Sequence, residues 1–177
     1  MKRAVLLLVI AFLAVSVLCA QSKVTKKNVE GVTNFAEVES TVACAGAATP
    51  ASMVEIKKMG YKAVFNLRLP NEQGADIDNE AVAAKAAGIT FIHLPFNAAM
   101  PDPFLVDNFL KAITQPGNQP AFIHCASGNR AATVWFIKRV IIDKWDNDQA
   151  MAEASQLGAI SQPMKNFAMD YIQSHKK

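Results

Sequence analysis

The sequence is poor in cysteine, in long charged segments and in metal-ligand patterns. It has 3 cysteines, Cys19, Cys44 and Cys125, among 177 residues, which is too few for a disulfide-stabilised scaffold. Its 18 Lys and Arg and 15 Asp and Glu form no long block of one sign, so we expect no nucleic-acid partner. His93 and His175 lack the spacing to cysteines or carboxylates that is typical of metal ligands. We therefore predict no metal and no cofactor.

The first 20 residues differ in composition from the rest of the chain. Lys2 and Arg3 precede an uninterrupted apolar run at 4–15, and small residues follow as far as Ala20. This pattern is typical of a secretory signal peptide, and the run is shorter than the roughly 20 residues of a membrane-spanning helix. We predict cleavage after Ala20, an exported protein that is periplasmic or secreted, and no stable membrane association afterwards. An uncleaved anchor and lipid attachment at Cys19 are the alternatives.

The remaining residues, 21–177, have the size of one domain with one hydrophobic core. Without Lys2 and Arg3, 16 of the 18 basic residues remain against 15 acidic ones, so the net charge falls from +3 to +1. We found neither internal repeats nor low-complexity segments in this part of the sequence. Residues 21–28 are mostly polar, and we expect them to be a flexible leader. The oligomeric state does not follow from the sequence.

Strand-like and helix-like segments alternate along the chain. Thr49 and Pro50 have the pattern of an N-cap followed by proline at the first helical position, and Gly60 ends that helix. The predicted strands are 41–45, 62–67, 89–94 and 121–124, and the predicted helices are 50–60, 76–87, 103–114, 130–143, 147–157 and 163–174. This alternation predicts an α/β fold, a single domain with a mainly parallel central sheet flanked by helices. Ligands of such sheets bind beyond the carboxyl ends of the strands.

The segment that follows the last predicted strand is the most informative part of the sequence. His124 ends the strand, Cys125 follows it, and Gly128 and Arg130 lead into an apolar helix. Backbone N–H groups at a helix N-terminus favour a bound anion, including a thiolate. Arg130 adds a planar, permanently charged fork for an oxyanion. A nucleophile and an oxyanion-binding group in so short a segment predict an enzyme that uses Cys125 for catalysis.

The order of these residues resembles the signature of cysteine-dependent protein phosphatases, especially the compact dual-specificity type. That signature has five residues between cysteine and arginine, whereas this loop has four: Ala126, Ser127, Gly128 and Asn129. A loop of four is typical of rhodanese-type sulfurtransferases. The two features together resemble the bacterial beta-lactamase hydrolase-like, phosphatase-like domain family. Segments 60–68 and 87–95 are similar to two strands of that family, and the resemblance covers roughly residues 30–140.

The resemblance implies a dual-specificity phosphatase fold and hydrolysis of phosphate esters through a phosphocysteine intermediate on Cys125. Residues 126–129 and Arg130 would then bind the phosphoryl oxygens of a small anionic or phosphorylated substrate. His124 would support the loop through hydrogen bonds rather than take part in the chemistry. A serine or threonine usually follows the arginine of the signature, and this chain has Ala131 there. The hydroxyl of Ser127, inside the loop, is a possible substitute.

A phosphatase of this kind also uses a general acid, normally an aspartate on a separate loop. Asp102 is the predicted acid, although an aspartate directly before Pro103 is also a good helix N-cap. Asp107 lies within the next predicted helix and is expected on its solvated face. Arg68 is predicted to brace loops near the pocket through a carboxylate such as Glu72.

Cys44 ends another predicted strand, and two interpretations of it stay open. Burial as a small apolar side chain is the first. If Cys44 neighbours Cys125, it could instead form a protective or regulatory disulfide, because exported thiols meet an oxidising environment.

Three functional hypotheses remain at this point. The first is phosphate-ester hydrolysis, with loop amides and Arg130 stabilising the transferred group. The second is sulfur transfer through a persulfide on Cys125, which needs no aspartic acid and suits the shorter loop. The third is a non-enzymatic module of this fold that binds an anion or a partner.

Overall fold

In the computed structural model, which describes residues 23–175, a six-stranded sheet lies between two layers of helices. The sheet order is β1-β2-β3-β6-β4-β5. The strands are β1 Val24–Lys26, β2 Ala36–Val38, β3 Val42–Ala45, β4 Ala63–Asn66, β5 Thr90–His93 and β6 Ala121–His124. Strands β3, β6, β4 and β5 are parallel to one another. Strand β2 pairs antiparallel with β3, and β1 pairs antiparallel with β2. The predicted α/β fold with a mainly parallel sheet is therefore confirmed. The signal peptide predicted for 1–20 lies outside the described residues.

Helices cover both faces of the sheet. A short 3-10 turn at Pro50–Ser52 continues into α1, Met53–Lys58, and this segment packs with α2, Ile77–Ala86, against one face. The other face carries α3 Pro103–Ile113, α4 Asn129–Ile141, α5 Asn147–Leu157 and α6 Gln162–His175. Each helix agrees with a predicted one to within a few residues. Over 23–175, none of the helices combines the length and the hydrophobicity needed to span a bilayer.

Strand β1 differs from the sequence-based expectation. It lies inside the stretch 21–28 that we expected as a flexible leader, and it pairs antiparallel with β2, with Thr25 opposite Glu37. The stretch is polar because β1 is an edge strand, and charged side chains are common at sheet edges. Val24 packs against the core, while the neighbouring Lys27 forms an ion pair with Glu37.

Alternation along the strands divides the interior into two cores. Ile123 of β6 faces the α3–α6 layer, whereas Phe122 faces the α1–α2 layer, because successive side chains in a strand point to opposite faces. Helix α4 lies at the centre of the first layer, where it packs against α5 and α6. Its residues 131–137 are fully buried. An apolar helix without a polar face requires this central position.

Three parallel strands end side by side, and this register positions the site. Ala45 of β3 and Asn66 of β4 both lie opposite His124 of β6. The chain segments that follow them, beginning at Gly46, Leu67 and Cys125, therefore emerge at the same edge of the sheet. The N-terminus of α4 begins at that edge, only a few residues beyond β6.

Candidate active site

Cys125 lies at the base of a tight loop between β6 and α4. Its side chain is fully buried, and the backbone N–H of Gly128 donates to the sulfur at 3.2 Å. Gly128 is the N-cap of α4 and has a φ of 101°, a region that a residue with a Cβ rarely adopts. This conformation turns the Gly128 N–H inward, towards the sulfur. Glycine at this position is therefore explained by the loop geometry.

The loop is held from behind by two close backbone approaches. A Cβ on Gly158 would lie 2.7 Å from the carbonyl oxygen of Gly128, and one on Gly46 would lie 3.0 Å from that of Ala126. The loop is also tied to the start of α6, because the Ser161 N–H donates to the Asn129 side-chain oxygen at 3.0 Å. These contacts limit how far the loop can open.

Arg130 reaches from the first turn of α4 across the mouth of the loop. Its two terminal nitrogens bind both carboxylate oxygens of Glu72, at 2.5 and 2.8 Å. One of them also donates to the carbonyls of Leu67 and Phe96, at 2.8 and 2.9 Å. Burial alone would lower the pKa of Arg130, but the bonds to Glu72 and the charge of Cys125 raise it, so the cation is secure.

Glu72 is the acceptor around which the turn 68–74 folds. Besides Arg130, it accepts the Leu69 N–H at 2.9 Å and the Arg68 Nε–H at 3.3 Å. Partial burial opposes ionisation of Glu72, but the hydrogen bonds from Arg130, Leu69 and Arg68 prevail and lower its pKa to about 2. Arg68 also donates to the carbonyls of Gln73 and Gly74. The structure thus places Arg68 as a brace of this turn, not in the loop itself.

His124 points to the opposite face of the sheet from Cys125. Its Nε2 lies 2.7 Å from Glu80 of α2, whose other oxygen accepts a hydrogen bond from Asn66 at 2.9 Å. All three side chains are buried. The Nδ1 of His124 has no partner among residues 23–175. His124 therefore anchors the strand that carries Cys125, and it does not enter the loop.

Cys44 lies on β3, the strand next to β6, and faces the same core as Cys125. Both thiols are free. Complete burial, and secondarily the charge of Cys125, raises the pKa of Cys44 well above its usual range. The residue is thus a buried thiol on the strand next to β6, and the disulfide interpretation stays a prediction.

The structure gives Asp102 and Asp107 roles away from the loop. Asp102 is the N-cap of α3 and accepts the Phe104 N–H at 2.9 Å. Asp107 is exposed on α3, as expected, and it also accepts a hydrogen bond from Tyr171 of α6 at 2.5 Å, so it joins the two helices. The acid role of Asp102 has no supporting contact in the structure and stays a prediction.

An open cavity of about 470 Å³ lies over the loop. One wall is formed by loop residues 126, 127, 129 and 130, and the facing walls by the turn that holds Arg68, Glu72 and Gln73 and by segment 97–99. In the described part of the chain, no group of three or more His, Cys, Asp and Glu side chains is arranged to hold a metal ion. The cavity offers the Arg130 cation and the polar residues Ser127 and Asn129 to an anionic ligand, and the Cys125 sulfur lies buried at the base of the loop, outside the cavity lining.

Sequence reasoning missed several residues that shape this site. Glu80, Gly158 and Ser161 were not singled out, because each acts through a partner far away in the sequence. The sequence offers no local signal for Glu80, because Asp78 and Lys85 are charged residues of the same helix. Glu72 was named only as a partner of Arg68, whereas its principal contact is Arg130.

The fold and the cysteine loop are those of a phosphatase-like α/β domain. The family model of the beta-lactamase hydrolase-like protein, phosphatase-like domain, matches residues 34–142. The chain therefore belongs to this family. Two curated relatives, beta-lactamase hydrolase-like proteins of two Xylella fastidiosa strains, are 26% identical over 121 residues. The match covers 66% of this chain but only 27% of theirs.

Solved structures share the fold at low sequence identity. A candidate phosphatase (DUF442) from Shewanella putrefaciens CN-32 superposes with a TM-score of 0.70 at 17% identity, over 84% of this chain and 97% of its own. A cysteine-to-serine variant of P. aeruginosa TpbA, in complex with pTyr, gives 0.64 at 16%, over 90% and 93%. The core catalytic domain of the PP-IP phosphatase SIW14 from S. cerevisiae, in complex with citrate, gives 0.65 at 18%, over 81% and 88%.

The lowered pKa of Glu72 predicts a pH dependence of stability. A carboxyl whose pKa falls from 4.5 to about 2 on folding stabilises the folded state above pH 4.5, and this contribution disappears as the pH falls towards 2. We expect Glu72→Gln to lower the urea midpoint near neutral pH. The variant should also lose less further stability than the wild type as the pH falls through this window.

Asp170→Asn, at an exposed carboxylate of α6, is the matched control for this experiment. Parallel pH profiles for Glu72→Gln and the wild type would contradict the assigned ion pair with Arg130.

Proposed function

We propose that this protein hydrolyses phosphate monoesters through a phosphocysteine intermediate on Cys125. The observation that carries the proposal is the position of the Cys125 sulfur, which accepts the Gly128 N–H at the start of α4, the helix whose first turn carries Arg130. A helix N-terminus and a fixed cation both favour a thiolate and a bound oxyanion.

In the first step, the Cys125 thiolate attacks phosphorus, an S–P bond forms, and the ester P–O bond breaks. Glu72 binds one edge of the Arg130 guanidinium, so Nε–H and the second Nη2–H can bind two phosphoryl oxygens, and loop N–H groups bind the third. In the second step, water attacks phosphorus, inorganic phosphate leaves, and the thiolate is restored. Whether Asp102 supplies a proton in this sequence stays a prediction.

The neighbours support an anionic substrate for this proposal. The TpbA variant is in complex with pTyr and the SIW14 domain with citrate. We propose for this chain a small anionic or phosphorylated substrate that enters through the cavity over residues 126–130. Those neighbours are 16% and 18% identical to this chain, so the argument depends on its own loop geometry.

The four-residue loop sets an expected rate. One residue fewer between Cys125 and Arg130 removes one potential backbone donor, and a missing oxyanion donor costs roughly a hundredfold to a thousandfold in rate. We therefore propose a slow phosphatase. Sulfur transfer through a persulfide, which needs fewer oxyanion donors, is the competing outcome in the assay below.

The test compares purified protein on an aryl phosphate and on thiosulfate with cyanide. We expect release of phosphate, no thiocyanate, and complete loss of activity in Cys125→Ser, because the serine hydroxyl is almost wholly protonated near neutral pH. Cys44→Ser is the matched control, since Cys44 is also buried but lies on a strand outside the loop, and it should keep most of the activity. Thiocyanate production, or activity in Cys125→Ser, would contradict the proposal.

We also propose export, from the composition of residues 1–20. The protein recovered from cells should begin near Gln21 and remain in the soluble exported fraction. Intact mass and N-terminal sequencing of the recovered chain test this. A chain that retains Met1, or one that begins at a lipid-modified Cys19, would contradict it.

A further inference from the structure

The walls of the cavity over Cys125 carry few acidic side chains that could protonate a leaving group. Two segments face the loop: the turn that holds Arg68, Glu72 and Gln73, and the stretch 97–99. Among the described residues that line this cavity, Glu72 is the only one with a carboxyl group. Glu72 is therefore the lining residue that would have to protonate a leaving oxygen if an acidic side chain of the cavity did so.

Glu72 is in a poor position to supply that proton. One carboxylate oxygen accepts from Arg130 and from the Leu69 N–H, and the other accepts from Arg130 and from Arg68. Each of these bonds requires the ionised acceptor or is strongest with it. Protonation would also leave the buried Arg130 cation without its counter-ion, which is costly.

The residues on the other wall offer no replacement. Asn97 presents an amide, and its side-chain oxygen accepts the Ala99 N–H at 3.0 Å. Asp102 lies beyond this stretch, outside the cavity lining, and its carboxylate caps α3 through the Phe104 N–H. This wall of the cavity thus carries the amide of Asn97 and, among its lining residues, no carboxyl group.

We infer that this site cleaves phosphates whose leaving oxygen departs without a proton from a side chain, that is, acyl phosphates and electron-poor aryl phosphates rather than alkyl phosphates. The inference rests on the proposed phosphocysteine chemistry. The S–P bond forms as the P–O bond breaks, and the leaving group departs with the electron pair as a carboxylate or aryloxide. Water then releases phosphate and restores the thiolate. Proton exchange takes place with solvent.

The experiment measures kcat/KM for substituted phenyl phosphates whose leaving phenols span a wide range of acidity, from 4-nitrophenol to phenol. A general acid is worth roughly a hundredfold to ten-thousandfold, so a site without one should lose at least about a hundredfold between these two substrates. Acetyl phosphate should be cleaved as readily as the nitrophenyl ester. We expect the same steep dependence in Asp102→Asn.

Asn97→Asp is the informative second variant. Aspartate keeps the acceptor for the Ala99 N–H and adds a carboxyl to the cavity wall, so it should raise kcat/KM for phenyl phosphate more than for 4-nitrophenyl phosphate. Asn166→Asp is the control for added charge, because Asn166 lies outside the cavity lining and its side-chain oxygen is likewise an acceptor, for Gln162. A steep wild-type dependence that Asn97→Asp flattens supports the inference.

Two results would overturn it. A shallow dependence in the wild type means that a side chain does protonate the leaving group, and if Asp102→Asn makes it steep, Asp102 is that acid. A shallow dependence, with or without an effect of Asp102→Asn, overturns this inference but leaves the phosphocysteine proposal standing. If instead no phosphate is released from any of the substrates, 4-nitrophenyl and acetyl phosphate included, the proposed function itself fails and the inference falls with it.

Discussion

The ion pair between Arg130 and Glu72 is the interaction on which the site depends. The Arg130 side chain is only 8% exposed, and a buried cation without a counter-ion is strongly destabilising. Glu72 supplies the opposite charge, and the carbonyls of Leu67 and Phe96 accept further hydrogen bonds. The turn 68–74 folds around this carboxylate. The remaining N–H groups of the fork are thereby fixed in direction beside Cys125, before any ligand arrives.

The fixed cation also connects the chemistry with the fold. Strands β3, β6 and β4 end at one edge of the sheet. The segment after β3 begins with Gly46 and packs behind the loop, the segment after β6 is the Cys125 loop, and the segment after β4 forms the turn that holds Glu72. Gly46 and Gly158 allow the backbone to approach the loop closely. Glu72 orients Arg130 through its ionised carboxylate, so it is unsuited to donate a proton to a leaving group. This arrangement supports the proposed transfer of a phosphoryl group and the inference that the leaving oxygen departs without a proton from a side chain.

Local patterns predicted most of the elements, because their signals are short-range. Asp102 followed by Pro103 predicts the start of α3. The apolar run 121–123 predicts β6, and Gly128 after it predicts the loop. Cys125 and Arg130 were singled out from their place between a predicted strand and a predicted helix and from the resemblance to a phosphatase signature, and their catalytic roles stay predictions. Edge strand β1 was mistaken for a leader because its outward side chains are polar, as an edge requires.

Long-range relations could not be predicted in this way. Glu72 and Arg130 are 58 positions apart, and nothing local to Glu72 favours Arg130 over Arg68 as its partner. The Glu80–His124 pair joins a helix to a strand 44 positions away, and the contact of Gly158 with Gly128 depends on how α5 packs. Such pairs follow from strand order and helix packing, which many segments determine together.

The central claim is that Cys125 carries the phosphoryl group during turnover. The most direct measurement is acid quenching during turnover of acetyl phosphate or 4-nitrophenyl phosphate, followed by peptide mass spectrometry. We expect a phosphoryl adduct on the peptide that contains Cys125, on no other cysteine, and absent from Cys125→Ser. Two results would contradict a phosphocysteine intermediate. One is turnover without an adduct on Cys125 when formation of the intermediate is faster than its hydrolysis. The other is an adduct on another residue that persists in Cys125→Ser.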